Sequence, residues 1–158
     1  MAKFVYKMLN ILNIKIKLET QAKNVYAAAN RKYLEEQEKL QELMLRRVGY
    51  EKKLKELMNG NIDIKAVTNA RNDVNTMKTI VRRQMVEVHK AEKAVETARN
   101  ELNRIIMERK TQEKLKEKDF EKFKEELKAE EAKEIDQLVS FTYNDKKRRS
   151  KMADNNEE

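Results

Sequence analysis

Valine returns every seven residues through the middle of the chain, at Val67, Val74, Val81, Val88 and Val95, and Leu102 completes the series. Three residues after each stands Ala70, Met77, Gln84, Ala91, Ala98 or Ile105. Alternating steps of three and four keep these side chains on one narrow stripe of a helix, the seam of a coiled coil, which leaves water only by packing on another helix. The partner is expected in the same chain. Residues 1–58 carry a second stripe with less regular heptads: Phe4, Met8, Ile11, Leu12, Leu18, Ala22, Val25, Ala29, Tyr33, Leu40, Leu43, Met44, Leu54 and Leu57. Between the two lies Met58-Asn59-Gly60-Asn61, whose Asn-Gly pair supplies the left-handed backbone that closes helices. The pattern predicts an all-α fold, two long helices forming an antiparallel coiled-coil hairpin with unequal arms.

In this reading the hairpin occupies residues 1–143, with a first helix over about 3–58, a turn over about 59–62 and a second helix over about 63–139, capped by Asp63 or Thr68. At about 1.5 Å per residue the arms span roughly 80 and 110 Å. Pairing outward from Gly60 sets Phe4 opposite a residue near 116 and leaves the chain from about Glu117 without an opposing arm. Gly49 costs about 1 kcal/mol against alanine in a helix interior, which softens the first helix without ending it.

The second stripe changes character after Ile105. Its next places hold Arg109 and Gln112, and apolar spacing resumes out of register at Leu115, Phe120, Phe123, Leu127 and Leu138. Such a slip alters supercoiling locally. Either the stripe continues as core through a stutter, or Phe120, Phe123 and Leu127, lacking an opposite arm, present an apolar face to another protein. Phe141-Thr142-Tyr143-Asn144 loses the helical pattern, and residues 144–158, with Lys146-Lys147-Arg148-Arg149-Ser150-Lys151 followed by Asp154, Glu157 and Glu158, read as a charged disordered tail.

Composition narrows the function. No proline, two glycines, 41% charged residues and 6% aromatic residues suit long helices, and a two-helix hairpin has no layered core to enclose a pocket. An enzyme is not expected, nor a cofactor or small-molecule substrate. One histidine, no cysteine and no Gly-rich loop leave no nucleophile-base pair, metal set or phosphate cradle. The absence of cysteine fits a reducing cytosol. No segment approaches the roughly 18 apolar residues of a membrane span. The N-terminal apolar stretch is cut by Lys7, Asn10, Asn13, Lys15 and Lys17, as in an amphipathic helix and unlike a signal peptide. A soluble cytoplasmic protein is therefore expected.

The net charge of +8 draws the chain towards acidic partners, but both signs are interspersed, as on solvated helix faces. Lys146 to Lys151 could engage phosphates, yet no aromatic residues interleave with them, so nucleic acid is disfavoured. Tyr26 and Tyr33, seven apart, read as seam residues with hydroxyls at the edge. Tyr50, beside Gly49, is a candidate contact residue outside the seam, and His89, next to Val88, is either an exposed helix residue or a partner contact.

The opening residues also resemble a known family. Phe4, Tyr6, Lys7, Met8, Ile11, Leu12, Lys15, Glu19 and Ala22 fill the places of the start of the flagellar export protein family FliJ: aromatic, any residue, aromatic, basic, apolar, then two apolar residues, a basic residue and a glutamate before an alanine-containing helix. Residues 109–118 and 130–136 look like its Arg/Leu/Glu-rich stretch and its acidic, basic, Glu-apolar-Asp segment. The likeness covers nearly the whole chain. It implies a coiled coil similar to the axle subunit of rotary ATPases, a non-enzymatic stalk of the flagellar type III export apparatus. Its implied partners are the hexameric export ATPase, whose ring assembly the family promotes, the membrane export gate and export chaperones, at the inner face of the cell membrane at the flagellar base. Phe4, Met8, Ile11, Phe120, Phe123 and Leu127 would then enter the ATPase ring, and Leu43, Tyr50, Arg82, Met85 and His89 would meet the gate. The stalk of a virulence type III secretion system and a basic coiled-coil nucleic-acid binder are the competing readings.

Overall fold

The computed structural model describes residues 2–154. Helix α1 runs Leu9–Leu57, 49 residues, and α2 runs Ile64–Asp154, 91 residues, with no strand among the described residues. The two pack antiparallel as a hairpin with unequal helices. The chain divides into two compact units, one of Ile14–Arg109, which holds the turn, and one of Met1–Asn13 with Lys110–Glu158.

In the unit Ile14–Arg109 the turn is built as its residues dictate. Gly60 takes φ +83°, a left-handed conformation that side chains with a Cβ rarely adopt. Asp63 caps α2, its Oδ1 accepting from the backbone N–H of Lys65 at 3.1 Å and Ala66 at 3.5 Å. Thr68 is no cap, since its hydroxyl donates to the Ile64 carbonyl one turn back at 2.8 Å. Gly49 lies within an unbroken α1.

The valine heptads of α2 form the seam. Ala70, Val74, Met77, Val81, Ala91, Val95, Ala98 and Ile105 are buried, and Val67, Gln84, Val88 and Leu102 are half-buried. On α1 the heptads prove as regular as those of α2. Lys15, Glu19, Ala22, Tyr26, Ala29, Tyr33, Glu36, Leu40, Leu43, Arg47, Leu54 and Leu57 are buried or half-buried at alternating steps of three and four, and only the place of Tyr50, between Arg47 and Leu54, is exposed. The apparent irregularity has two sources. Leu18, Val25 and Met44 face solvent, and four charged residues occupy seam positions.

Three of those charges are met from α2, and the fourth, Arg47, pairs along α1 with Glu51 at 3.0 Å. Glu19, among the buried residues, faces Arg109 Nε through Oε2, and Lys15 Nζ reaches Glu108 Oε2 at 2.6 Å. Gln84 donates its amide to the Glu36 carboxylate at 2.6 Å and to the Glu36 carbonyl at 2.9 Å. Arg99 donates to the Tyr26 hydroxyl at 3.4 Å and lies 5.9 Å from the centre of its ring. Arg109 is therefore a seam residue paired with an acid, not the start of a register slip.

In the unit Met1–Asn13 with Lys110–Glu158, residues 2–8 are not helical, contrary to the expected start near Lys3. Tyr6 is buried, its hydroxyl donating to Gln112 Oε1 at 3.1 Å, and its carbonyl accepts from Leu9 N–H at 3.2 Å as α1 begins. Extended chain advances about 3.3 Å per residue against about 1.5 Å in a helix. Phe4 therefore reaches Phe120 and Phe123 and not a residue near 116. Gln112 and Lys116 keep the heptad step half-buried, whereas Leu115 is exposed.

The disordered tail expected from residue 144 is also corrected. Helix α2 continues to Asp154, because no glycine or proline interrupts it, Lys, Arg, Met and Ala favour the helix and the local bonds are helical. Thr142 donates to the Leu138 carbonyl at 2.8 Å, and Asp145 pairs with Arg149 at 3.3 Å. Residues 155–158, with Glu157 and Glu158 of the expected tail, lie outside the described residues.

Two outcomes follow. Val81, 1% exposed, should lose about 2 kcal/mol in urea unfolding when cut to alanine, while Val86→Ala, on the solvent face, should shift stability by less than about 0.5 kcal/mol. The Glu108 carboxyl is held below its ordinary value first by the hydrogen bond from Lys15 and further by the charges of Lys15 and Arg104, against a smaller opposing effect of burial. A carboxyl lowered on folding stabilises above its unfolded value, and that contribution is lost as pH falls through the lowered one. Glu108→Gln should therefore lower the urea midpoint at pH 7 and flatten its decline below about pH 4.5.

Candidate partner-binding surfaces

The F-x-Y spacing at the N-terminus has a physical basis in extended chain, where side chains two apart point the same way. Phe4 and Tyr6 both turn onto α2 while Val5, between them, is exposed. The Phe4 ring lies 5.1 Å from Phe120 at 61° and 5.5 Å from Phe123 at 49°, edge and tilted arrangements that aromatic pairs favour. Lys124 Nζ sits 4.5 Å from the centre of the Phe120 ring, a cation–π contact of about 0.5–1 kcal/mol at an exposed site.

Phe120 and Phe123 thus do not lack a covering arm, as the sequence suggested, because Phe4 closes over them. The result is a three-ring cluster whose outer surface remains open: Phe120 is exposed, and Phe4 and Phe123 are half-buried. An open cleft of about 400 Å³ adjoins it, lined by Lys3, Phe4, Val5, Asp119, Phe123 and Glu126 among others. Leu127 continues the stripe one turn after Phe123 and is half-buried, while Met8 and Ile11 are exposed near the start of α1. Of the six terminal residues singled out, ring contacts join Phe4, Phe120 and Phe123. Tyr6 and Gln112, which seat the N-terminal segment beside that cluster, were missed as a pair. The part-buried hydroxyl-to-amide contact across 106 positions has no local signature.

The flank residues lie in the unit Ile14–Arg109. Arg82, Met85 and His89 are exposed on α2 at steps of three and four, and His89 Nδ1 stands 3.8 Å from Glu92 Oε2. Leu43 is half-buried and shares an open cleft of about 400 Å³ with Ile80, Arg83, Gln84, Val86 and Glu87, alongside the expected set and not with it. Tyr50 is 39% exposed on α1 at a heptad position, so it belongs to the seam by register and to the surface by accessibility. The Glu36 carboxyl beneath this flank is held below its ordinary value chiefly by the Gln84 amide.

Among the described residues no cluster of acidic, histidine or cysteine side chains could hold a metal ion, and no helix is long and apolar enough to cross a membrane. The surfaces offer contact area and charge, the means of protein association.

Residues 4–148 match the family model described as Flagellar FliJ protein. No curated protein and no solved structure matches the chain. With the family model running from the F-x-Y segment through both helices of the hairpin, the chain belongs to the flagellar FliJ family, components of the flagellar protein-export apparatus.

Proposed function

We propose that this chain is a non-enzymatic stalk of the export apparatus that promotes assembly of the hexameric export ATPase and links it to the membrane export gate and to export chaperones, working in the cytoplasm against the inner face of the cell membrane. The observation that carries the reading is the placement of phenylalanine. All four of the chain's phenylalanines, Phe4, Phe120, Phe123 and Phe141, belong to the unit Met1–Asn13 with Lys110–Glu158, and three of them form the open cluster. Aromatic rings presented this way are strong anchors for a protein interface. Met8, Ile11 and Leu127 extend that contact, and the flank carrying Arg82, Met85 and His89, with Tyr50 and Leu43, serves the gate.

Mixing the purified chain with the export ATPase of the same organism tests the first role. About one chain per six ATPase subunits should promote the ring and raise ATP turnover, and Phe120→Ala with Phe123→Ala should lower both at least about tenfold, the loss expected when anchors worth more than 1.4 kcal/mol are removed. Because Phe4 packs on those rings, Ile11→Asp, at an exposed site, is the companion variant, with helicity checked by circular dichroism. No stimulation by the unaltered chain at any ratio would overturn the role.

For the second role, Tyr50→Ala, Arg82→Ala, Met85→Ala and His89→Ala combined should weaken capture of the gate's cytoplasmic domain at least about tenfold. ATPase stimulation should be unchanged. Equal gate binding by the combined variant would remove the flank assignment.

A further inference from the structure

The C-terminal part of α2 is a helix whose apolar stripe has no cover. Ile135, Leu138, Val139 and Thr142 stand at steps of three, four and seven from the first, on one face, and Ile135, Leu138, Val139 and the adjoining Phe141 are 60–72% exposed. Leu127 lies eleven residues before Leu138 and Met152 fourteen after, whole turns away on the same face. Charge along this segment is uneven: residues 127–137 carry four acids against Lys128 and Lys133, a net of −2, and residues 142–152 carry five bases against Asp145, a net of +4. Glu130, Glu131, Glu134 and Asp136 precede the apolar centre, and Lys146, Lys147, Arg148, Arg149 and Lys151 follow it.

We propose that residues 127–152 of α2 pair antiparallel with the same segment of a second copy of this chain. A two-fold axis near Val139 and Ser140 sets Leu127 beside Met152 of the second copy, Glu131 beside its Arg148 and Arg149, and Leu138 beside its Phe141 and Thr142. Every contact occurs twice, and the arrangement closes as a dimer, since a two-fold interface uses one self-complementary surface. Orientation follows from the charge blocks. A parallel pair would set the net-basic block on itself, whereas the antiparallel pair sets it against the net-acidic block, with Glu130 and Glu131 beside Arg149 and Arg148 although Lys128, Lys133 and Glu134 then lie beside Lys151, Lys146 and Asp145. An anionic membrane would attract only the basic half of the segment and not the net-acidic half, whereas a second copy answers both. The stripe is short, so the association belongs to the weak, reversible class of interfaces.

The test uses the full chain alone, so its failure leaves the ATPase and gate roles untouched. Sedimentation over micromolar to millimolar concentrations should show a monomer–dimer equilibrium. Leu138→Asp should raise the dissociation constant at least about tenfold, the effect of burying an unpaired charge at the axis. Reversing the acids (E130K, E131K, E134K) should weaken dimers, as should reversing the bases (K146E, K147E, R148E, R149E), and mixing the two variants should restore association as a heterodimer. The chain has no cysteine, so Val139→Cys near the axis should give a disulfide-linked dimer on mild oxidation while Gln41→Cys, on α1, should not. All substituted positions are exposed, and circular dichroism confirms that the helix is retained. A monomer at every concentration, a dimer indifferent to the charge reversals, or a monomer that binds acidic phospholipid vesicles through Leu138 would each overturn the proposal.

Discussion

The pairing of Glu19 with Arg109 sets the register on which the hairpin seam depends. The α2 side of the seam, mostly alanine and valine, is nearly featureless along its axis. Val74 and Val81, or Ala91 and Ala98, would exchange partners with little loss if one helix slid by a heptad. Glu19 cannot be exchanged so freely. It is buried, and an unpaired buried carboxylate costs several kcal/mol, so a slide that separates it from Arg109 is opposed by far more than the apolar contacts gain. Lys15 with Glu108 and Glu36 with Gln84 repeat the constraint along the same unit. Small residues keep the helices close, and the polar pairs decide which residues are opposite. Stability and specificity are thus supplied by different side chains of one seam.

That division explains which parts of the fold were legible in the sequence. The valine series, the turn at Gly60 and the cap at Asp63 rest on local rules of spacing and backbone conformation, and each reads directly from neighbouring residues. The register of α1 does not, because a heptad search looks for apolar residues and finds Leu18 and Val25 where Glu19 and Tyr26 belong. The signal was present as a charge at one place in each helix, but each charge by itself looks like a break in the pattern. Arg109 and Gln112 suggested a slip for that reason, and only their partners, Glu19 and Tyr6, turn the apparent interruption into a continuation.

The N-terminal segment shows a different limit. Phe4 to Met8 has amphipathic spacing that suits a helix as well as an extended run, and local propensity cannot weigh a first helical turn against the packing of two aromatic rings on a distant stretch of α2. Burial of Tyr6 and the contacts of Phe4 outweigh that turn. The aromatic pair was legible as a motif, but its meaning lay in the two-residue period of extended chain. The apolar spacing of Phe120 and Phe123 is legible in the sequence, whereas the ring that covers them and the seat of Tyr6 rest on contacts between distant residues.

The distribution of large side chains ties seam to surface. The seam of the unit Ile14–Arg109 sets alanine and valine of α2 against tyrosine, leucine and charged residues of α1, and the unit contains no phenylalanine. A structure so narrow buries little area per residue and has no interior to spend on a binding pocket. Association must then use side chains that stand outside the seam, and the chain's phenylalanines all lie outside that unit, at Phe4, Phe120, Phe123 and Phe141. In the three-ring cluster, Phe4 shields part of the apolar surface of its partners and leaves Phe120 accessible. An apolar surface held this way is ordered before it meets a partner, so binding need not supply the entropy of fixing three rings.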